Sequence, residues 1–276
     1  MSEEIGPSID SLIKFYDQSC IVGEEKVFTI LADSPGQEIT FIVENYDLKN
    51  KSILEVGCGS GRLAALFSSS FNGDYLGLDF ATSAIEICRQ RNLGDRFQFE
   101  TSDIHKFESE KNFDFVIALG VIEHTVSPKV TLAALSRFLN NDGVLLIAVP
   151  HFMNPRGVIW MTLATLLRIP MSLSDKHFIH PWDMEAWAEE NGAVVSLVTT
   201  VDRDWGTGNK LIRDFSKRIP NALRDAKLAD NADVELFLDY LQKLIDYVNI
   251  QSTDGALLNG ATAIYILQNK VRVINE

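Results

Sequence analysis

Cysteine is scarce in this chain: Cys20, Cys58 and Cys88 are the three among 276 residues, and no C-x-x-C pair occurs. That excludes a disulfide framework and a cysteine-built zinc site, and it fits a reducing compartment. Positive charge is short as well. Lys and Arg number 25 against 38 Asp and Glu, a net charge of −13. Such a balance argues against nucleic-acid phosphate as a partner and against electrostatic docking on anionic lipid. Long apolar runs are missing. The longest, Gly157 to Leu167, is well under the roughly 20 residues that span a bilayer, so no stable membrane insertion is expected. The chain opens Ser2-Glu3-Glu4, without a basic and apolar leader, so a cytoplasmic protein is the expectation. What is present, 46% hydrophobic and 23% charged residues, suits a large buried core.

From Lys51 short apolar runs alternate with stretches of helical period, the pattern of an α/β protein with a doubly wound parallel sheet. Strands are expected at Ser52–Val56, Asp74–Leu78, Phe97–Glu100, Phe113–Leu119, Gly143–Val149, Ala193–Thr200 and Ala261–Gln268. The continuous apolar run Phe113–Leu119 suits a strand buried on both faces. Helices are expected at Gly61–Ser69, Ser83–Arg91, Pro128–Leu139 and Gly157–Ile169. Others follow at Asp183–Asn191, with Asp183 near the N-cap, and at Lys210–Arg218 and Val234–Val248. Residues 1–50 show helical spacing at Ile9–Tyr16, Glu24–Leu31 and Glu38–Tyr46 and are read as an N-terminal helical lid. Residues 51–276 are read as one sheet domain with helical insertions at about 154–181 and 202–258.

Ligands of such sheets bind beyond the carboxyl ends of the strands, where strand order reverses. Gly57–Gly61, Asp79, Asp103, Gly120–His124 and Pro150-His151 all fall at those ends. The first group, Glu55-Val56-Gly57-Cys58-Gly59-Ser60-Gly61, is a glycine turn between a strand and a helix. It leaves main-chain N–H groups open to a carboxylate, phosphate or ribose, with the positive end of a helix dipole behind them. The dinucleotide fingerprint is G-x-G-x-x-G. Here Arg62 stands where its third glycine belongs, and Glu55 is foreign to it, which speaks against a nicotinamide-dependent oxidoreductase. The run E-x-G-C-G-S-G resembles motif I of class I S-adenosylmethionine-dependent methyltransferases.

That resemblance implies the Rossmann-like, seven-stranded class I methyltransferase fold, with S-adenosylmethionine as cofactor and S-adenosylhomocysteine as product. It implies cofactor contacts from Glu55, Gly57, Cys58, Gly59 and Gly61. Asp79 matches the acidic residue of the family's second motif and would accept hydrogen bonds from both ribose hydroxyls, with Phe80 flanking the adenine. Asp103 would accept from the adenine amino group, with Ile104 and Leu119 lining the site.

Leu119-Gly120-Val121-Ile122-Glu123-His124 is similar to the E-H block of methyltransferases of the ubiquinone-biosynthesis O-methyltransferase type. His124 is a candidate general base for a hydroxyl acceptor, because imidazoles titrate near neutrality. Glu123 would orient it or line the pocket. In that type a further Glu, three positions before the E-H glutamate, is implicated in metal binding. Gly120 stands there in this chain, so no metal is expected. The implied substrate is a small, fairly apolar metabolite methylated on a hydroxyl. C- or N-methylation, and a non-catalytic S-adenosylmethionine-binding module, stand as alternatives.

The run Gly157–Ile169 falls where that type carries a segment linked to membrane or lipophilic-substrate contact, and it is read as a buried helix, an acceptor wall or a membrane contact. His151, His177 and His180, with Trp182, Trp187 and Trp205, lie toward the acceptor side. The resemblance covers about residues 50–195. The first 50 residues and the insertion at 202–258, regions that usually build the acceptor site in this family, carry no matching motif.

Overall fold

The computed structural model describes Lys14 and residues 36–168, 175–228, 233–251 and 259–269. The stretches read as helices at 9–16 and 24–31 lie, apart from Lys14, outside the described residues, and of the segment read as a lid the described helix is α1 (Gln37–Asn45). Seven strands form one sheet: β1 (Ser52–Val56), β2 (Asp74–Asp79), β3 (Phe97–Thr101), β4 (Phe113–Leu119), β5 (Leu139–Pro150), β6 (Ala193–Val201) and β7 (Thr262–Asn269). Their order is β3-β2-β1-β4-β5-β7-β6. The first five pair in parallel, and β7 runs antiparallel between β5 and β6. This is the class I methyltransferase arrangement, and strand order reverses between β1 and β4.

Alternation along the central strands builds two cores. Leu54 and Val56 of β1 and Val116 and Ala118 of β4 face one side, where they meet Leu132 and Leu135 of α4 (Pro128–Ser136) and Met184 of α6 (Pro181–Glu190). Ile53, Phe115 and Ile117 face the other, against Ile39 and Ile42 of α1 and Leu63 and Phe67 of α2 (Arg62–Phe67). Each such side chain, fully buried, contributes about 1.5–3 kcal/mol. The helix α3 (Thr82–Gln90) follows β2 and packs Ile85 and Cys88 beneath the glycine turn.

One local expectation is met and one corrected. Asp183 does lie near the N-cap of α6: His180 is the cap, and the Asp183 carboxylate, in the first turn, accepts the His180 N–H at 2.9 Å. Pro181 decides this, because a residue without an N–H suits the first helical position. The run expected as one helix to Ile169 is shorter and starts earlier, as α5 (Pro155–Met161) followed by a wider π turn at Thr162–Leu166. Asn154 caps it, its Oδ1 accepting the Gly157 N–H at 2.8 Å. Gly157 is required by proximity: a Cβ there would lie 2.0 Å from the Phe152 carbonyl oxygen.

The insertions come together in space. Phe152, with Trp160 of α5 and Leu163 just beyond it, packs on Leu211, Phe215 and Ile219 of α8 (Asn209–Asp225) and on Leu241 and Ile245 of α9 (Val234–Gln251). A five-residue helix, α7 (Arg203–Thr207), precedes α8 and is too short to show a period in sequence. Among the described residues, no helix is long and apolar enough to cross a membrane.

Candidate functional site

β1 hands over to the glycine turn at the reversal of strand order. Gly57, Gly59 and Gly61 have φ of +73°, +50° and +74°, the left-handed region that favours glycine. A Cβ on Gly57 would stand 2.4 Å from Cγ2 of Val121 in the loop after β4, so the turns after β1 and β4 meet here. The Gly57 and Cys58 N–H groups donate to the Leu78 carbonyl at 2.8 and 3.0 Å. Asp79, at the end of β2, braces the turn: Oδ2 accepts the Gly59 N–H at 2.9 Å and Oδ1 the Ala81 N–H at 2.8 Å. A carboxylate oxygen can accept two hydrogen bonds, so bracing is compatible with meeting ribose hydroxyls. Phe80, next in the chain, leaves 41% of its surface exposed.

Asp103 lies after β3 with Oδ1 accepting the His105 N–H at 3.0 Å and Oδ2 3.7 Å from Lys106 Nζ. Ile104 is buried, and Leu119 packs against the α1–α2 face at the end of β4. Cys58 is buried in the turn. Its hydrogen bond to Cys88 and its burial raise its thiol pKa, which makes it a packing group rather than a nucleophile. The backbone of the turn is therefore its chemistry.

Glu55 sits beneath the turn. It is buried, and the Tyr75 hydroxyl donates to its carboxylate. Burial pushes this carboxyl up to about 8, opposed by the Tyr75 bond and reinforced by Asp79. The folded chain thus keeps a proton that the unfolded chain releases near the ordinary glutamate value of 4.5, and stability falls as pH rises between those values. Glu55→Gln, which imitates the protonated acid, is expected to flatten that fall and to be the more stable form at pH 9 by on the order of a few kcal/mol. Thermal melts of both proteins from pH 5 to 9 check this. Parallel curves would mean that Glu55 is ionised in the fold.

On the other side of the reversal, Gly120 (φ +66°) turns the chain out of β4 into a 3-10 turn, Ile122–His124. The His124 ring lies between two carboxylates. Its Nδ1 is 3.5 Å from Asp175 Oδ1, and its Nε2 is 3.8 Å from Glu123 Oε1. Glu123 is 2% exposed, with Oε2 buried and without a hydrogen-bond partner. Burial pushes its carboxyl up to about 7, eased by His124 and reinforced by Asp175.

Asp175 was not foreseen. It arrives because the segment 175–180 is tied to this loop: the Lys176 and His177 N–H groups donate to the Glu123 carbonyl at 2.9 and 3.2 Å, and the His177 ring bonds the Thr125 carbonyl at 2.9 Å. Nothing in sequence spacing connects the two stretches; only the neighbouring His177 marked the region. Glu123, His124 and Asp175 each offer a ligand atom within 4.8 Å of the others, a grouping that a divalent cation can enter. The expectation of no metal rested on Gly120 and did not include Asp175.

Of the other histidines, His177 and His180 hold structure. His177 bonds the Thr125 carbonyl, as above. His180 caps α6 and stacks on Trp182, with centroids 4.5 Å apart. His151 is buried, and burial, with His180 nearby, lowers its pKa to about 4. Trp187 packs on the sheet core and Trp205 lies under Lys210.

Residues 47–211 match the family model described as "Methyltransferase domain". The ubiquinone biosynthesis O-methyltransferase of Pseudomonas fluorescens (strain SBW25) is 23% identical over 79% of this chain and 90% of its own length. That of Colwellia psychrerythraea is 25% identical over 65% of this chain and 77% of its own. Among solved structures, an S-adenosylmethionine-dependent methyltransferase from Geobacter sulfurreducens, in complex with S-adenosylhomocysteine, shares the fold. Its TM-score is 0.51 at 18% identity, covering 86% of this chain and 92% of its own.

Proposed function

The chain belongs to the methyltransferase-domain family, and from that premise we propose that it methylates a hydroxyl oxygen of a small acceptor with an apolar body, His124 taking the proton. It is an S-adenosylmethionine-dependent methyltransferase. That cofactor supplies a methyl group on a sulfonium, an electrophile that needs chiefly a nucleophile held in line. In this reading the glycine turn, Asp79 and Phe80 hold the nucleoside, with Asp103, Ile104 and Leu119 around the adenine. The turn's left-handed glycines and the Asp79 brace fit such a ligand, since a Cβ at Gly57 would fill the junction with Val121.

The observation behind the O-methyl reading is the placement of His124 at the carboxyl end of β4, three residues past Val121, with Asp175 at its Nδ1. A neutral amine needs no base before attack, whereas a hydroxyl must lose its proton to the enzyme. Asp175 is the positioning residue: a carboxylate 3.5 Å from Nδ1 holds the ring, with Nε2 on the side of Glu123. The acceptor is a small molecule rather than nucleic acid, in keeping with the net charge of −13.

Calorimetric titration with S-adenosylhomocysteine, with NADH as control, tests the cofactor assignment. Binding of the former alone is expected. Binding of NADH alone would overturn it. Transfer of a radiolabelled methyl group to hydroxylated compounds, with mapping of the labelled atom, then tests the oxygen: label on carbon or nitrogen refutes the O-methyl reading.

A further inference from the structure

Arg156 lies just beyond the end of β5, in the first turn of α5, with its guanidinium over the Trp160 ring at 5.1 Å from the centroid. Arg218 of α8 approaches the same ring at 5.3 Å. The two cations differ in their partners. Arg218 is held by Asp214, Nε to Oδ2 at 3.1 Å and a terminal nitrogen to Oδ1 at 3.0 Å. Arg156 forms no ion pair among the described residues, and its Nε is buried without a hydrogen-bond partner. The Trp160 Nε1 beside it is also buried and unpartnered, on a side chain 4% exposed.

Arg156 is half-buried, and a guanidinium whose Nε is closed off from solvent with no direct counter-ion is costly. Burial lowers the Arg156 pKa, an effect that Asp214 opposes and Arg218 reinforces, with Asp175 and Asp202 also opposing it. A trapped water would satisfy an N–H but would not neutralise the charge. An oxyanion does both, and arginine presents parallel N–H donors to one. Aromatic rings surround the pair. Phe152 and Phe178 meet edge to face at 5.1 Å, and Phe152 lies 6.3 Å from Trp160. Asp175, which feels the Arg156 charge, is the same residue that stands 3.5 Å from His124 Nδ1.

We propose that the acceptor carries an oxyanion, a carboxylate or a phosphate, received by Arg156 and the Trp160 indole N–H. Its apolar body lies along Phe152 and Phe178, and its hydroxyl points toward His124. This rests on the acceptor side assigned above. It narrows the substrate class to amphipathic hydroxy acids or hydroxylated phosphate monoesters.

The test uses the full chain saturated with S-adenosylhomocysteine, and probe binding measured by ligand-observed NMR. The probes are 4-hydroxycinnamate and 3-hydroxydecanoate, each with its methyl ester, and 4-hydroxyphenyl phosphate beside hydroquinone. Wild type is expected to bind an anionic probe about tenfold or more tightly than its neutral counterpart. The member preferred tells carboxylate from phosphate. Arg156→Met, which keeps bulk over the indole, should bring that ratio to about one, and Arg156→Lys should restore part of it. Trp160→Phe, which removes the N–H donor together with part of the indole but keeps an aromatic ring, should reduce it about threefold to tenfold and serves if Arg156→Met fails to fold. A structural arginine would lose melting temperature on replacement, whereas Arg156→Met should melt no lower than wild type. Equal binding of acids and neutral probes, no binding of any, or a ratio unchanged in the folded variants overturns the proposal. In each of those cases retained S-adenosylhomocysteine binding leaves the methyltransferase reading in place, and its loss in wild type would sink that reading instead.

Discussion

Replacing Asp79 by alanine is expected to weaken S-adenosylhomocysteine binding by roughly a hundredfold or more while the chain stays folded. Two hydrogen bonds from ribose hydroxyls to a carboxylate contribute about 1.5–3 kcal/mol each. Together they correspond to about two to four powers of ten in Kd. The substitution also removes the acceptor of the Gly59 and Ala81 N–H groups, which stand 2.9 and 2.8 Å from the Asp79 oxygens. The glycine turn then loses its brace, so binding suffers twice. Melting temperature should fall modestly, because the turn is loosened but the two cores on either face of the sheet are untouched. Gly57→Arg should abolish binding by a different route, since any Cβ there would meet Val121 at 2.4 Å. Calorimetry paired with thermal melts checks both. A folded Asp79→Ala protein that binds like wild type would place the nucleoside elsewhere.

The second large effect is expected at His124. With a general base removed, kcat should fall about 10²- to 10⁴-fold for a hydroxyl acceptor. Affinity for S-adenosylhomocysteine should not change, because the glycine turn and Asp79 are separate from the ring. Asp175→Asn keeps the shape of the contact at Nδ1 and removes its charge, so a smaller loss in kcat, about tenfold, with KM unchanged is expected of a positioning residue. Steady-state kinetics with an acceptor found by the label-transfer screen measures both. Chelation separates the base from its rival. If Glu123, His124 and Asp175 grip a divalent cation, EDTA will stop wild-type turnover and added magnesium or manganese will restore it. Turnover unaffected by EDTA but lost in His124→Ala leaves proton removal as the ring's task. Unchanged turnover in His124→Ala removes it as the base.

Local chemistry made much of the sheet legible. The bounds of β1 and β4 coincide with expectation because apolar runs flanked by turn residues are written within a few neighbouring positions. The glycine turn and the acidic end of β2 were readable for the same reason: strand, turn and helix N-terminus are contiguous, and positive φ calls for glycine. Glu55 was legible as part of that motif, but its burial against Tyr75 was not, because the pairing depends on how β1 and β2 align in the sheet.

Contacts across long stretches of chain belong to the tertiary structure alone. Asp175 reaches His124 because backbone hydrogen bonds tie its segment to the Glu123 carbonyl. The insertions after β5 and β6 share one apolar cluster, which sets two arginines over a single tryptophan and gives only one of them a carboxylate among the described residues. Periodicity reports which face of an element is apolar, not which other element will cover it. The sequence by itself determined the class of fold, the family and the glycine turn at the end of β1, because these are carried by contiguous motifs. The tertiary structure decided the surroundings of His124 and the packing of the insertions against each other, because those exist only where packing brings distant residues within a few ångströms.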